Sequence, residues 1–244
     1  KLINVKKKIF GHMDNYVDKI KEKLNLWTKM GKNRIKKERS KKTNLITNNQ
    51  QVVLASLSKT RQIEIKKHFK DVILTKHSVD ETKEKKKHKQ LNAKDLAYHL
   101  ARLKAISVSS KYKDKFVIGC DQTLECNTKI LSKPKTLFKA KKNLKELSGK
   151  KHRLFTCIYV LKNLREYFVE ETSAELSFRR ASDAEINDYI KKNRVTAISC
   201  VGSYKIEENK KYKFIKILKG SKESIIGFPL KKFLGSIKKK KWTY

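Results

Sequence analysis

The sequence predicts an α/β protein: a mixed sheet with helices packed around it, over residues 48–244, preceded by a basic extension over residues 1–47. Three observations carry this reading. Short apolar runs suited to strands recur from Val52 onward, at 52–55, 72–75, 116–120, 153–161, 167–178 and 212–218. Segments at 59–69, 93–109, 137–147, 183–192 and 229–238 instead space their apolar residues at helical intervals. No internal repeat breaks the alternation, and the length suffices for one domain with a sizeable core plus an appendage.

In chain order, "VVLASLSKTRQIEIKKHF" (52–69) opens on a buried strand and turns through small residues into a helix. Ser58 stands where an N-cap belongs, and Ile65 and Phe69 keep a spacing of four. A strand that turns into a helix N-terminus offers open amides and a positive dipole end to a phosphate, and Arg61 would project from the first turn. A capped turn with a surface arginine is the plainer reading of the same residues. "LAYHLARLKA" (96–105) is a helix with Leu96, Leu100 and Leu103 as its core stripe. Lys104 follows Ala97 and Ala101 at spacings of four and three, so it could lie close to neighbouring backbone and reach a pocket. Thr136 caps the next helix, Gly149 stops it, and Ser182 with Glu185 forms a capping box. "CVGSYKIEENKK" (200–211) reads as a turn leading into a strand, and "ESIIGFPL" (223–230) as a turn before the last helix.

The formal charge of +38 draws the protein towards polyanions such as nucleotides, nucleic acid or acidic surfaces. Only nine of the 62 basic residues are Arg, and an AT-rich coding sequence produces the same excess of Lys, Ile and Asn. Residues 1–47 hold fifteen Lys or Arg against four acids. They read as a polyanion-binding arm or, preferably, as a stretch without a folded role, poorly ordered or partly helical. Cys120, Cys126, Cys157 and Cys200 form neither a C-x-x-C pair nor a zinc pattern with His, so a reduced cytoplasmic protein is expected. No apolar run reaches the ~18 residues of a membrane span, and the N-terminus lacks the core of a signal peptide. The chain begins at Lys1 rather than Met, so its start is expected to be truncated or mis-assigned.

Chemistry gathers at a few places. "FVIGCDQTLEC" (116–126) puts Asp121 at the end of an apolar strand, where α/β proteins collect ligands and where a divalent metal accompanying a phosphate would find a carboxylate. An aspartate opening a turn is the plain alternative. "HSVDETKEK" (77–85) offers Asp80 and Glu81, which could equally neutralise nearby lysines. Lys133 precedes Pro134, which holds it extended, and His152 reads as structural because no acid neighbours it.

Taken in order, "LASLS-x-x-R", "VDE", "LARLKA", "GCDQT", "SKP", "LSGKKHRLFT", "AEINDYI", "GSYKIE" and "IIGFPL" resemble the Maf family from residue 52 to about 234. The resemblance implies the fold shared with inosine-triphosphate pyrophosphatases, two lobes around a cleft, and a tendency to form homodimers. It implies a nucleoside triphosphate pyrophosphatase that cuts between the α and β phosphates with Mg²⁺, Mn²⁺ or Co²⁺. Carried over by motif, the proton acceptor is Asp121. Glu81 and Lys104 are catalytic partners, and Asp121 with Glu81 would hold the metal. Ser56, Arg61 and Lys133 bind phosphate. Thr60, Gln122 and Glu207 match the positions that tune base preference. "DQ" after the strand, "VDET" and the glutamate ending "GSYKIE" point to the subgroup resembling 7-methyl-GTP pyrophosphatase, and a carboxylate can accept from guanine N1–H and N2.

The chain departs from the family at Lys59, where Pro is usual, at Thr60, at Phe228, and after Glu207, where Glu208-Asn209-Lys210-Lys211 replaces a glycine-rich turn. These departures touch the base pocket and leave the phosphate-handling residues intact. The competing reading is a catalytically weak protein of this fold that binds nucleic acid through charge, or regulates cell division.

Overall fold

The computed structural model describes residues 51–229 and 234–235. The extension over residues 1–47 and most of the predicted last helix lie outside the described residues. No helix among them is long and apolar enough to cross a membrane.

The sheet runs β2-β1-β3-β5-β6-β7, with a short β4 (Lys129–Leu131) antiparallel beside β3. β1 (Val52–Ala55) lies between β2 (Val72–Thr75) and β3 (Phe116–Cys126), parallel to both. All four β1 residues are buried. A strand paired on both edges and covered on both faces has no polar side, hence the unbroken apolar run. β5 (Lys151–Lys162) pairs antiparallel with β3 and with β6 (Arg165–Phe178). The β5–β6 hairpin turns through Asn163 and Leu164, both at positive φ, the backbone of a type I′ turn. β7 (Ile215–Lys219) closes the far edge.

Three differences from the sequence reading bear on the site. β3 does not stop at 120 but continues to Cys126, because β5 supplies an antiparallel partner for each residue from Val117 to Glu125 whatever its polarity. Asp121 is therefore inside a strand. What ends nearby is β1, whose pairing with β3 stops at Ala55 and Gly119. The passage through Glu207 is not the entry to a strand but a 3-10 turn (Ile206–Glu208) continuing into a short helix, Asn209–Tyr212. Third, α2 (Glu81–Lys87) was not foreseen, for it buries no side chain and so has no apolar period. Asp80 caps it by accepting from Thr82 N and Lys83 N, and its acids lead and its lysines trail, matching the helix dipole.

The foreseen helices are α1 (Lys59–Lys66), capped by Ser58 and ending three residues earlier than the pattern suggested, and α3 (Ala93–Ser109). Next come α4 (Leu137–Leu147) under Thr136 and α5 (Asp183–Lys192) with the Ser182–Glu185 capping box. Shorter helices α6 (Arg194–Ser199) and, after α7 (Asn209–Tyr212), α8 (Lys222–Ile226) complete the described set.

Alternation along the strands sorts the core. Val53, Ala55, Val117 and Tyr159 face α3, through Ala97, Ala101, Ala105 and Val108. Val52, Leu54, Ile118 and Cys120 face the other way, onto Ile65, Phe69 and Phe228. Beyond Leu124 a second core forms with Leu144, Leu147, Ile186, Tyr189 and Phe214. Each fully buried Leu or Ile contributes about 1.5–3 kcal/mol. Between the two lobes lies a cleft of about 870 Å³, with Glu81, Lys85 and Lys89 on one side and Lys133, Lys135 and Lys139 on the other.

Candidate active site

Gly119 sets the geometry. A Cβ there would lie 2.0 Å from the Ala101 carbonyl oxygen and 2.7 Å from Ala105 N, so only glycine lets α3 settle this close to β3. The approach delivers Lys104, buried at 3% exposure, to the strand two residues on. Its ammonium donates to Asp121 Oδ1 at 2.5 Å and lies 2.7 Å from Glu81 Oε1. The small residues at 97 and 101 therefore do what their spacing suggested.

Asp121 is buried, and its second oxygen, Oδ2, has no hydrogen-bond partner. A buried carboxylate oxygen left open is costly unless something polar or cationic meets it. Burial works against the charge of both Glu81 and Lys104. Lys104, then Lys133 and Lys85, outweigh it and hold Glu81 down at about 2, while Asp121 and Glu81 in turn raise the Lys104 pKa. Lys133 enters the same field from the far wall of the cleft, open to water yet with protein on most sides. Burial and the neighbouring Arg61 and Lys104 charges push its pKa down, against the pull of Glu81 and Asp121.

Arg61 does not project from α1 as the sequence suggested. It is buried, with Nη1 donating to Cys120 O at 2.6 Å and Nε to Gly227 O at 3.0 Å. The guanidinium thus ties α1, β3 and the segment after α8 together. Its charge still reaches the cluster, because it lowers the pKa of both Lys104 and Lys133. Ser56 is buried at the end of β1; its Oγ accepts from Ser58 N at 3.2 Å, which leaves the hydroxyl proton free to donate elsewhere. Thr60 is half-buried in the first turn of α1.

The predicted base-preference residues are not gathered in the same way. Gln122, next to Asp121 on the strand, faces the opposite side of the sheet. Its Nε2 lies within bonding distance of Ser224 O (3.0 Å), Ile225 O (3.2 Å) and Thr156 Oγ1 (3.1 Å), so its amide is engaged with α8 and β5. Glu207 is exposed on the 3-10 turn.

The sequence model of the Maf family, described as Maf-like protein, matches residues 51–240. The chain belongs to the Maf family. A 7-methyl-GTP pyrophosphatase of Bartonella henselae is 36% identical over 179 residues, 73% of this chain and 90% of that protein. A nucleoside triphosphate pyrophosphatase of Rhodopseudomonas palustris is 30% identical over 192 residues, covering 79% and 95%. A third, from Legionella pneumophila, carries the same name and is 29% identical over 179 residues, covering 73% and 88%.

Two features of this Maf protein's site escaped the sequence reading. His77 lies 3.9 Å from Glu81 Oε1 through Nε2, and its buried Nδ1 has no hydrogen-bond partner. Burial, then Lys104, pushes its pKa down. Its position four residues before Glu81 was the available signal. The cleft lysines are the other feature: Lys85, Lys86, Lys89, Lys135 and Lys139 join Lys133 along it, but in a chain this rich in lysine no sequence signal separates them from the rest. His152, read as structural, is buried with its Nε2 2.6 Å from Tyr204 Oη, and burial lowers its pKa to about 4.

Proposed function

We propose that this Maf protein is a nucleoside triphosphate pyrophosphatase with Asp121 as its base. The observation that carries the reading is the open Oδ2 of a buried carboxylate whose other oxygen is pinned by Lys104. In the reaction, water attacks the α-phosphorus, its proton passes to Asp121 Oδ2, and the bond from the α-phosphorus to the bridging oxygen breaks. A nucleoside monophosphate and pyrophosphate leave. Lys104 holds Asp121 Oδ1 and so keeps the carboxylate oriented. Lys133, Arg61 and the Ser56 hydroxyl supply positive potential and a donor for charge that develops on the leaving pyrophosphate.

A divalent cation fits this donor set. Glu81 and Asp121 are hard carboxylate donors gathered around Lys104, and they are the residues that would hold Mg²⁺, Mn²⁺ or Co²⁺. Bound there, the ion would neutralise phosphate charge and lower the pKa of water.

The name of the Bartonella relative, together with Gln122 and Glu207, supports 7-methyl-GTP or a related modified nucleotide as substrate. Glu207, exposed on its turn, would accept from guanine N1–H and N2. Gln122 would act through α8. The same reading carries a cytoplasmic location and a homodimer, the latter tested by light scattering on the eluted protein.

The deciding experiment is pyrophosphate release with Mg²⁺ or Mn²⁺ from 7-methyl-GTP, GTP, dTTP and UTP, with Asp121→Asn in parallel. Release from at least one nucleotide, abolished by Asp121→Asn, is expected. No release from any would overturn the enzyme reading and leave the basic binding protein. Nucleic-acid affinity that falls steeply with salt would then be the property to measure.

A further inference from the structure

Further along α2 from Glu81, α2 and α3 bring together three more side chains of ligand type. Glu84 stands on α2, His88 is the residue that caps its C-terminus, and His99 comes from α3. Glu84 Oε2 lies 3.0 Å from His99 Nε2 and 3.5 Å from His88 Nε2. The two imidazole rings are 4.3 Å apart between centroids and tilted by 55°. The three donor atoms all lie within 4.8 Å of one another, and all three side chains are partly open to water.

We propose that Glu84, His88 and His99 form a site for a borderline-soft divalent ion of the Zn²⁺ class, which clips α2 to α3. Ligands about 2.0–2.1 Å from a tetrahedral ion stand roughly 3.4 Å from each other, and the two Glu84–His spacings, 3.0 and 3.5 Å, bracket that value. Two imidazoles and one carboxylate, with water at the fourth position, make a set that suits zinc. Both imidazoles would bind through Nε2 and keep the proton on Nδ1. Lys83, Lys85, Lys86, Lys87 and Lys89 flank Glu84 and His88 along the chain. Their charge weighs against any cation, so a hard ion such as Mg²⁺ gains too little there, whereas nitrogen ligands favour a transition ion.

The consequence lies in what α2 carries. This helix buries no side chain, so polar contacts hold it, and its first residue is Glu81, three before Glu84. An ion shared between Glu84, His88 and His99 would fix α2 and keep Glu81 against Lys104. The proposal stands whether or not the protein hydrolyses nucleotides.

The test is equilibrium dialysis of the full chain, stripped with chelator, against Zn²⁺ in excess Mg²⁺ so that the carboxylate pair is occupied. The wild type should retain one equivalent of Zn²⁺. His88→Gln and His99→Gln should each weaken retention by more than about tenfold, while His77→Gln and His68→Gln should not. With Co²⁺ the wild type should show visible d–d bands that the His88 and His99 variants lack. Should His99→Gln fail to fold, as read by circular dichroism, His88→Gln decides, because His88 lies at the end of α2 and not within a long helix. No retained Zn²⁺ would overturn the site. So would equal retention by wild type and His88→Gln, or loss confined to His77→Gln.

Discussion

Gly119 and Ala101 meet backbone to backbone: a methyl group on the first would sit 2.0 Å from the carbonyl oxygen of the second. Lys104, one turn further along α3, reaches Asp121 only because this contact is so close. Gly119→Ala should therefore do two things at once. It should destabilise the fold by about 1–3 kcal/mol through overpacking, seen as a lower urea midpoint with an unchanged slope. It should also suppress pyrophosphate release beyond what the lost stability explains, since α3 must move away from β3. Full activity in a folded Gly119→Ala protein would separate the close approach from the chemistry.

Arg61 tests whether its role is shape or charge alone. Arg61→Lys keeps the charge but cannot reach Cys120 O and Gly227 O with one rigid fork. A buried carbonyl that loses its donor costs about 1–3 kcal/mol. We expect a clear drop in stability together with lower kcat. A substitution that leaves the urea midpoint where it was would refute the tie between α1, β3 and Gly227.

Substrate choice divides Gln122 from Glu207. Gln122 spends its amide on Ser224 O, Ile225 O and Thr156. Gln122→Ala should lower kcat/KM for 7-methyl-GTP and GTP by similar factors. Glu207→Gln, on the open turn, should change the ratio between them and leave the urea midpoint within about 0.5 kcal/mol. The reverse pattern would mean that Gln122 reads the base directly.

Acid should destabilise the protein in two steps. His152 titrates at about 4 when folded, against 6.5 normally, because burial disfavours its charge. The unfolded chain therefore binds more protons between these values. Its stabilising contribution is full above pH 6.5 and is lost as pH falls towards 4, on the order of 3 kcal/mol in all. Glu81 is depressed from 4.5 to about 2, so its contribution is present above 4.5 and fades between 4.5 and 2. Urea midpoints measured from pH 8 to 3 should fall accordingly, and His152→Gln should flatten the first step. A midpoint that stays level from pH 6.5 to 4 would contradict the burial account.

Local chemistry explains what was legible. Ser58, Thr136 and the Ser182–Glu185 box act within four residues of their own helices, so their caps are written in the sequence and recur in the structure. The Ala97, Ala101 and Lys104 spacing forecast a lysine that could lie against neighbouring backbone, and it does. The α2 helix stayed hidden because a helix held by polar contacts has no apolar stripe. The partners of Arg61 and Gln122 stayed hidden for another reason. Gly227 and the Ser224–Ile225 carbonyls are more than a hundred residues away in the chain.

By itself the sequence determined the α/β alternation, the caps, the family motifs and the residue types at the site, because periodicity and short-range hydrogen bonds depend on near neighbours. Tertiary structure decided how far β3 runs, which face of it Asp121 and Gln122 occupy, and where Arg61 spends its donors. It also decided that Glu81, Lys104 and Asp121 meet within hydrogen-bonding distance. Those outcomes rest on strand pairing and on one close helix approach across Gly119, contacts between segments whose separation along the chain carries no local signal.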